Sequence, residues 1–165
     1  MDLLDRLIGH DYWATSLELG HCESLTEDEL TELFDIGLGF IHSTIIHQVL
    51  VIEFWTAQIE QRPADLNWDA RPSIAELADL HTRYHGNFAK IARAAQADGT
   101  LDTLFSDHHG NQQSMGGTIL HILSHNQLHR AEVRHMLNRL GVDDVWDGDP
   151  QEWEYVLRET AGTRS

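Results

Sequence analysis

Residues 118–140, TILHILSHNQLHRAEVRHMLNRL, place His121, His125 and His129 four residues apart. In a helix, four residues advance the chain ~6 Å and turn it by about 40°, so neighbouring imidazoles can aim at one point. That is a metal-binding arrangement. Glu132 follows on nearly the same face and brings a carboxylate within reach of whatever the histidines hold. A helical pair supplies only two ligands, and a stable site needs a third from elsewhere in the fold. His47 is a candidate, because it lies within the apolar run IIHQVLVIEFW, where an unpaired imidazole is costly to desolvate. A metal would be a partner for it, and a backbone carbonyl would serve as well. The chain has 12 histidines, so pairs at this spacing also arise as ordinary hydrogen-bonded helix residues. His81 and His85 form such a second pair, without an evident third partner.

The elements that must position these residues read as helices. Residues 2–21 carry Leu3, Leu4, Leu7, Ile8, Tyr12, Trp13, Leu17 and Leu19 at spacings mainly of three and four, an amphipathic pattern. Thr26 and Glu29 make a capping pattern for a short helical turn. A second long helix is expected over 36–61, apolar around much of its circumference and ended by Arg62-Pro63. Residues 63–72 read as a loop. Ser73 and Glu76 cap a third helix with Ile74, Leu77, His81, Tyr84, Phe88, Ile91 and Ala95 on its inner side, stopping near Asp98-Gly99. Residues 100–117 are too turn-rich for a helix and suggest a strand or irregular hairpin. The histidine helix is expected over 118–140 with Gly141 as its stop. Asp149-Pro150 starts a short closing helix with Trp153 and Val156 or Leu157 inward, and 161–165 read as a frayed tail. Four helices of about 20 residues with no dividing linker predict an all-α four-helix bundle formed by a single domain over 1–165.

Composition limits what such a bundle does. The formal charge is −16, and Lys90 is the only lysine, so phosphate backbones and anionic membranes are repelled and nucleic-acid binding is disfavoured. No apolar run reaches the ~18 residues of a membrane span, and MDLLDRLIGHDYW has neither a basic leader nor a cleavage site. Cys22 is the only cysteine, which rules out an intrachain disulfide or a thiolate cluster and agrees with a reducing cytoplasm. A soluble, cytoplasmic, non-membrane protein is expected, and any metal has nitrogen and oxygen ligands.

The set H-x5-E-F-W at His47, H-N-Q-L-H-R at 125–130 and L-N-R-L-G at 137–141 resembles the DinB-like superfamily, which includes the YfiT-type metal proteins. The likeness takes in most of the chain, from Trp13 through Leu25–Leu30 and Gly110 to the closing Asp-Pro helix. It implies a four-helix bundle of DinB/YfiT type with long crossing connections, a short irregular or β-like segment between the third and fourth long helices, and a short C-terminal helix. It further implies His47, His125 and His129 as the metal ligands, and a homodimer. His121 matches a position that often holds histidine in relatives but is not taken as a ligand. Glu132 replaces the glutamine associated with that position, which leaves it as a fourth ligand, an acceptor orienting a ring, or a polar core residue. Arg130, rotated about 100° from His129, is expected in a surface or interfacial ion pair, and Glu53 in a structural role.

Three imidazoles suit zinc or nickel, and iron, cobalt or copper as well. Three protein ligands leave one position open for a water or thiol to ionise near neutral pH. Some superfamily members are thiol S-transferases or thiol-dependent isomerases, so the resemblance implies a metal-dependent enzyme that activates a low-molecular-weight thiol for S-transfer to a small-molecule electrophile. A hydrolase, in which ionised water attacks an amide or ester with Glu132 as proton acceptor, is the second expectation. A non-catalytic structural or sensing metal protein of a stress response is the third.

Overall fold

The structure, a computed structural model, describes residues 1–143, 145 and 147–162. Asp2 opens helix α1 (Leu3–Cys22) by accepting the Asp5 N–H at 2.8 Å. Thr26 and Glu29 form a reciprocal capping box on the one-turn helix α2 (Glu27–Leu30), as Ser73 and Glu76 do on α4 (Ile74–Ala97). Helix α3 spans Ile41–Ile59, α5 Met115–Leu140 and α6 Pro150–Gly162. Between α4 and α5 two short strands, β1 (Leu104–Ser106) and β2 (Gln112–Ser114), pair antiparallel with Leu104 opposite Ser114. This is the expected all-α bundle with its small β-like insertion.

Helices α1 and α3 each pack against both α4 and α5, so α1 and α3 occupy opposite corners. The connection over 23–40 therefore crosses the end of the bundle. The core between the four helices is built from Ile8, Leu19, Ile45, Ile52, Leu77, Phe88, Ile122, Met136 and Leu137, all at most 2% exposed. Helix α6 covers α1 through Trp153, which lies so close to Gly9 that a Cβ there would stand 2.7 Å from the indole. Of the inward residues expected on α6, Trp153 is buried, Val156 is half-buried and Leu157 is exposed. Of the expected frayed tail, 161 and 162 continue α6, and 163–165 lie outside the described residues.

Three boundaries differ from the sequence expectation. Helix α3 begins at Ile41 rather than 36, because Gly37 (φ 55°) and Gly39 (φ 83°) are left-handed and the Phe34 N–H turns back to the Gly39 carbonyl at 2.7 Å. It ends at Ile59 rather than 61, where Gln61 takes a φ of 52°. Helix α5 begins at Met115 rather than 118: Ser114 caps it by accepting the Gly117 N–H, and the Gly116 N–H reaches Leu101 O at 2.7 Å. A Cβ on Gly116 would stand 3.2 Å from that carbonyl, and one on Gly117 would stand 2.9 Å from the capping Ser114 Oγ, so the two glycines in the first turn serve the close approach of Leu101 and of the cap.

Arg130 also corrects the sequence reading. Its side chain is 12% exposed and donates to Asp11 Oδ1 at 2.6 Å and Thr15 Oγ1 at 3.0 Å, inside the bundle rather than on its surface. The face 100° from His129 is covered by α1, because α5 has a helix on either flank. Asn126 donates to the other Asp11 oxygen at 2.9 Å, and His85 Nε2 stands 3.3 Å away. Burial disfavours an ionised Asp11, but His85 and Arg130 outweigh it and hold the carboxyl below the ordinary range. Removing one partner of such a pair strands a buried charge. Arg130→Ala is expected to lower unfolding stability by about 3 kcal/mol or more in urea titration, whereas Arg139→Ala, whose partner Asp35 lies at the surface, should leave it nearly unchanged.

Candidate metal centre

His47 lies in the middle of α3, and the other two histidines one turn apart on α5, which packs against it. The rings converge on their Nε2 atoms. His125 Nε2 is 3.1 Å from His47 Nε2 and 3.1 Å from His129 Nε2, and all three nitrogens lie within 4.8 Å of one another. Nitrogens each about 2.0–2.1 Å from a common divalent ion stand roughly 3.0–3.4 Å apart, so the observed spacing fits ligation.

Hydrogen bonding alone does not satisfy this cluster. His129 Nδ1 faces Glu132 Oε2 at 2.7 Å, so in the neutral ring that nitrogen carries the proton and Nε2 keeps its lone pair. His125 Nε2 has one hydrogen at most to offer two neighbours, and His125 Nδ1 is buried without a hydrogen-bond partner. A cation facing three lone pairs satisfies the Nε2 atoms and leaves His125 Nδ1 as the one buried ring nitrogen of the three without a partner at hand. Burial, then the neighbouring His129 and His47 rings, push His125 down to about 4; burial and His129 likewise lower His47. At neutral pH these two rings present lone pairs without having to lose a proton.

Glu132 sits on the outer side of the His129 ring, away from the nitrogen that meets the other histidines. It is also wedged against the turn before α3. A Cβ built on Gly37 would stand 2.5 Å from Glu132 Oε2, so only glycine lets the carboxylate lie where it bonds His129. His121 is exposed on the next turn, its ring 5.6 Å from that of His125 and edge-on to Trp55 at 5.3 Å. His81 and His85 are not drawn in. Both are buried on α4, where His81 stacks on Tyr12 at 5.1 Å and His85 approaches Asp11. Glu53 holds Arg62 in a two-pronged pair at 2.6 and 3.1 Å and accepts the Asp65 N–H, a structural anchor for the loop after α3.

The family model of the DinB family matches residues 2–155. The chain belongs to the DinB family. No curated protein matches it. In this DinB-family chain the three histidines expected as ligands are brought together, and they are the cluster of metal-ligating side chains found among the described residues. A cavity of about 320 Å³ lies on the far side of α5, lined by Glu18, Arg130, Arg134, Val145, Asp147 and Gly148 among others, and touches none of the three. Its buried Glu18 has no hydrogen-bond partner for either oxygen, and burial raises its pKa to about 8.

Sequence reasoning missed Gly37. The signal was present in D-I-G-L-G, where glycines two apart break a helical pattern, but their contact with Glu132 is formed only in the fold. Gly37→Ala is expected to displace the carboxylate from His129 and weaken zinc binding roughly 10- to 100-fold in competition titration, with an unchanged far-ultraviolet spectrum. An unaltered affinity would show that the Glu132 contact does not support the site.

Proposed function

We propose that this DinB-family protein is a metal-dependent enzyme that activates a low-molecular-weight thiol for transfer of its sulfur to a small-molecule electrophile. The supporting observation is the cluster itself. Three imidazole nitrogens meet, and among the described residues no carboxylate oxygen joins them, which is the donor set of an open rather than a closed site. A divalent ion held there, zinc or nickel by ligand type and equally iron, cobalt or copper, supplies Lewis acidity that lowers the pKa of a thiol taking the remaining position.

The chain's own residues have separate tasks in this reading. His47, His125 and His129 hold the ion. Glu132 fixes the His129 ring and its tautomer through Nδ1. The same bond weighs against hydrolysis, because the carboxylate that would serve as proton acceptor for water is turned to the outer nitrogen. A thiol is far more acidic than water to begin with and gives its proton to solvent, so it depends less on such an acceptor. A formal charge of −16 disfavours strongly anionic substrates, nucleic acid and anionic membranes. No helix among the described residues is long and apolar enough to cross a membrane. The buried lone Cys22 suits a reducing compartment, so the reading takes the working protein to be cytoplasmic and, by its resemblance, a homodimer.

The test follows monochlorobimane with glutathione, cysteine and other small thiols. The thiol gives its proton to solvent, its sulfur bonds the bimane carbon as the carbon–chlorine bond breaks, chloride leaves, and fluorescence rises. Thiol-dependent acceleration by the metal-loaded protein, lost in His125→Ala, is expected. No acceleration with any thiol, together with turnover of p-nitrophenyl acetate, would transfer the site to a hydrolase; neither activity, with a melting temperature that falls sharply on chelation, would make it structural or sensing.

A further inference from the structure

The rings beside the metal centre form a continuous wall. Trp55 lies two helical turns beyond His47 on α3, and His121 one turn before His125 on α5. The two rings meet edge to face at 5.3 Å and 76°, and His121 is in turn 5.6 Å from the His125 ring. Trp55 is also met by His108, from the turn between β1 and β2, at 5.9 Å and 69°. His108 continues to Phe54 at 4.9 Å, and Phe54 to Trp68 at 6.2 Å. Phe54 and Trp55 are half-buried, His108 and His121 are exposed, and Trp68 is 48% exposed.

The wall is held in place by the fold. The turn that carries His108 is pinned by Asp107, which accepts the His109 and Asn111 N–H groups at 2.9 and 2.8 Å, and Gln61 reaches from the end of α3 to Ser106 O. Side chains fixed edge to face lose little further freedom when a ligand arrives, and they keep ring surface open to water. A row of partly exposed rings, each nearly perpendicular to the next, begins beside three converging imidazoles and offers ring edges and faces together, which favours one kind of neighbour.

The geometry points to a planar aromatic group as the part of the substrate that lies against Trp55, His108 and His121, with its reactive atom toward His47, His125 and His129. This deepens the thiol-transfer reading and rests on it for the reaction that follows; the binding of the ring does not need thiol or metal. The overall negative charge makes a neutral aromatic compound the better fit.

The probe is 4-nitrobenzamide, compared with cyclohexanecarboxamide, a saturated ring carrying the same amide. Both are titrated into ¹⁵N-labelled protein, with and without zinc, following the indole N–H resonance of Trp55 assigned by its loss in Trp55→Phe. The aromatic probe is expected to shift that resonance in a saturable way and to bind roughly three- to tenfold more tightly than the saturated one, the contribution of an aromatic pair. His121→Ala and Trp55→Leu should each weaken it by a similar factor, and Trp55→Phe should retain most of it. Equal binding of the two probes, shifts confined to the α1 side of the bundle, or a Trp55→Leu protein that turns from dimer to monomer in gel filtration would overturn the proposal. In the last case a second copy covers the wall. Thiol transfer without aromatic preference would sink this inference alone, whereas aromatic binding without any thiol chemistry would sink the reading it rests on.

Discussion

The convergence of three imidazole nitrogens is the constraint around which this fold is arranged. Lone pairs held 3.1 Å apart repel unless protons or a cation lie between them, and the available protons do not suffice once Glu132 holds His129 by its outer nitrogen. The bundle brings the three rings to one point, where a cation can satisfy them. It does so by placing His47 on a helix buried on most sides and by fixing α5 against it over several turns.

Helix α5 is fixed from both flanks by unlike interactions. Toward α3 it presents His125 and His129; toward α1 it presents Asn126 and Arg130, which share the buried Asp11 carboxylate. A slip of one residue would rotate both faces by about 100° and strand the guanidinium at the same moment as it dispersed the ligands. The buried charged pair thus fixes the register on which the histidine cluster depends. Gly37 adds a third restraint, since it lets the chain before α3 close over Glu132 without a side chain in the way.

The helices were legible in the sequence because burial imposes a period of three to four, and the capping pairs Thr26/Glu29 and Ser73/Glu76 mark their starts directly. The pairing of His47 with His125 and His129 was legible from family resemblance and from the cost of an unpaired imidazole in an apolar run. What was not legible depended on neighbours rather than on the helix itself. Rotation told that Arg130 leaves the histidine face, but not that α1 covers the face it enters. Spacing put Glu132 near the site, but not on which side of the ring. The aromatic wall was hidden for the same reason: Trp55, His108 and His121 come from three places in the chain, and only the packing of α5 and the docking of the hairpin on α3 make them adjacent.

The claim on which the rest depends is that His47, contributed by a helix far away in sequence, completes a site with the pair on α5. Equilibrium dialysis of chelator-stripped protein against zinc and nickel, with metal counted by elemental analysis, measures this directly. One ion per chain in the native protein and none in a folded His47→Ala variant is the predicted result; stoichiometric binding that survives His47→Ala, or no binding by the native protein, would contradict it.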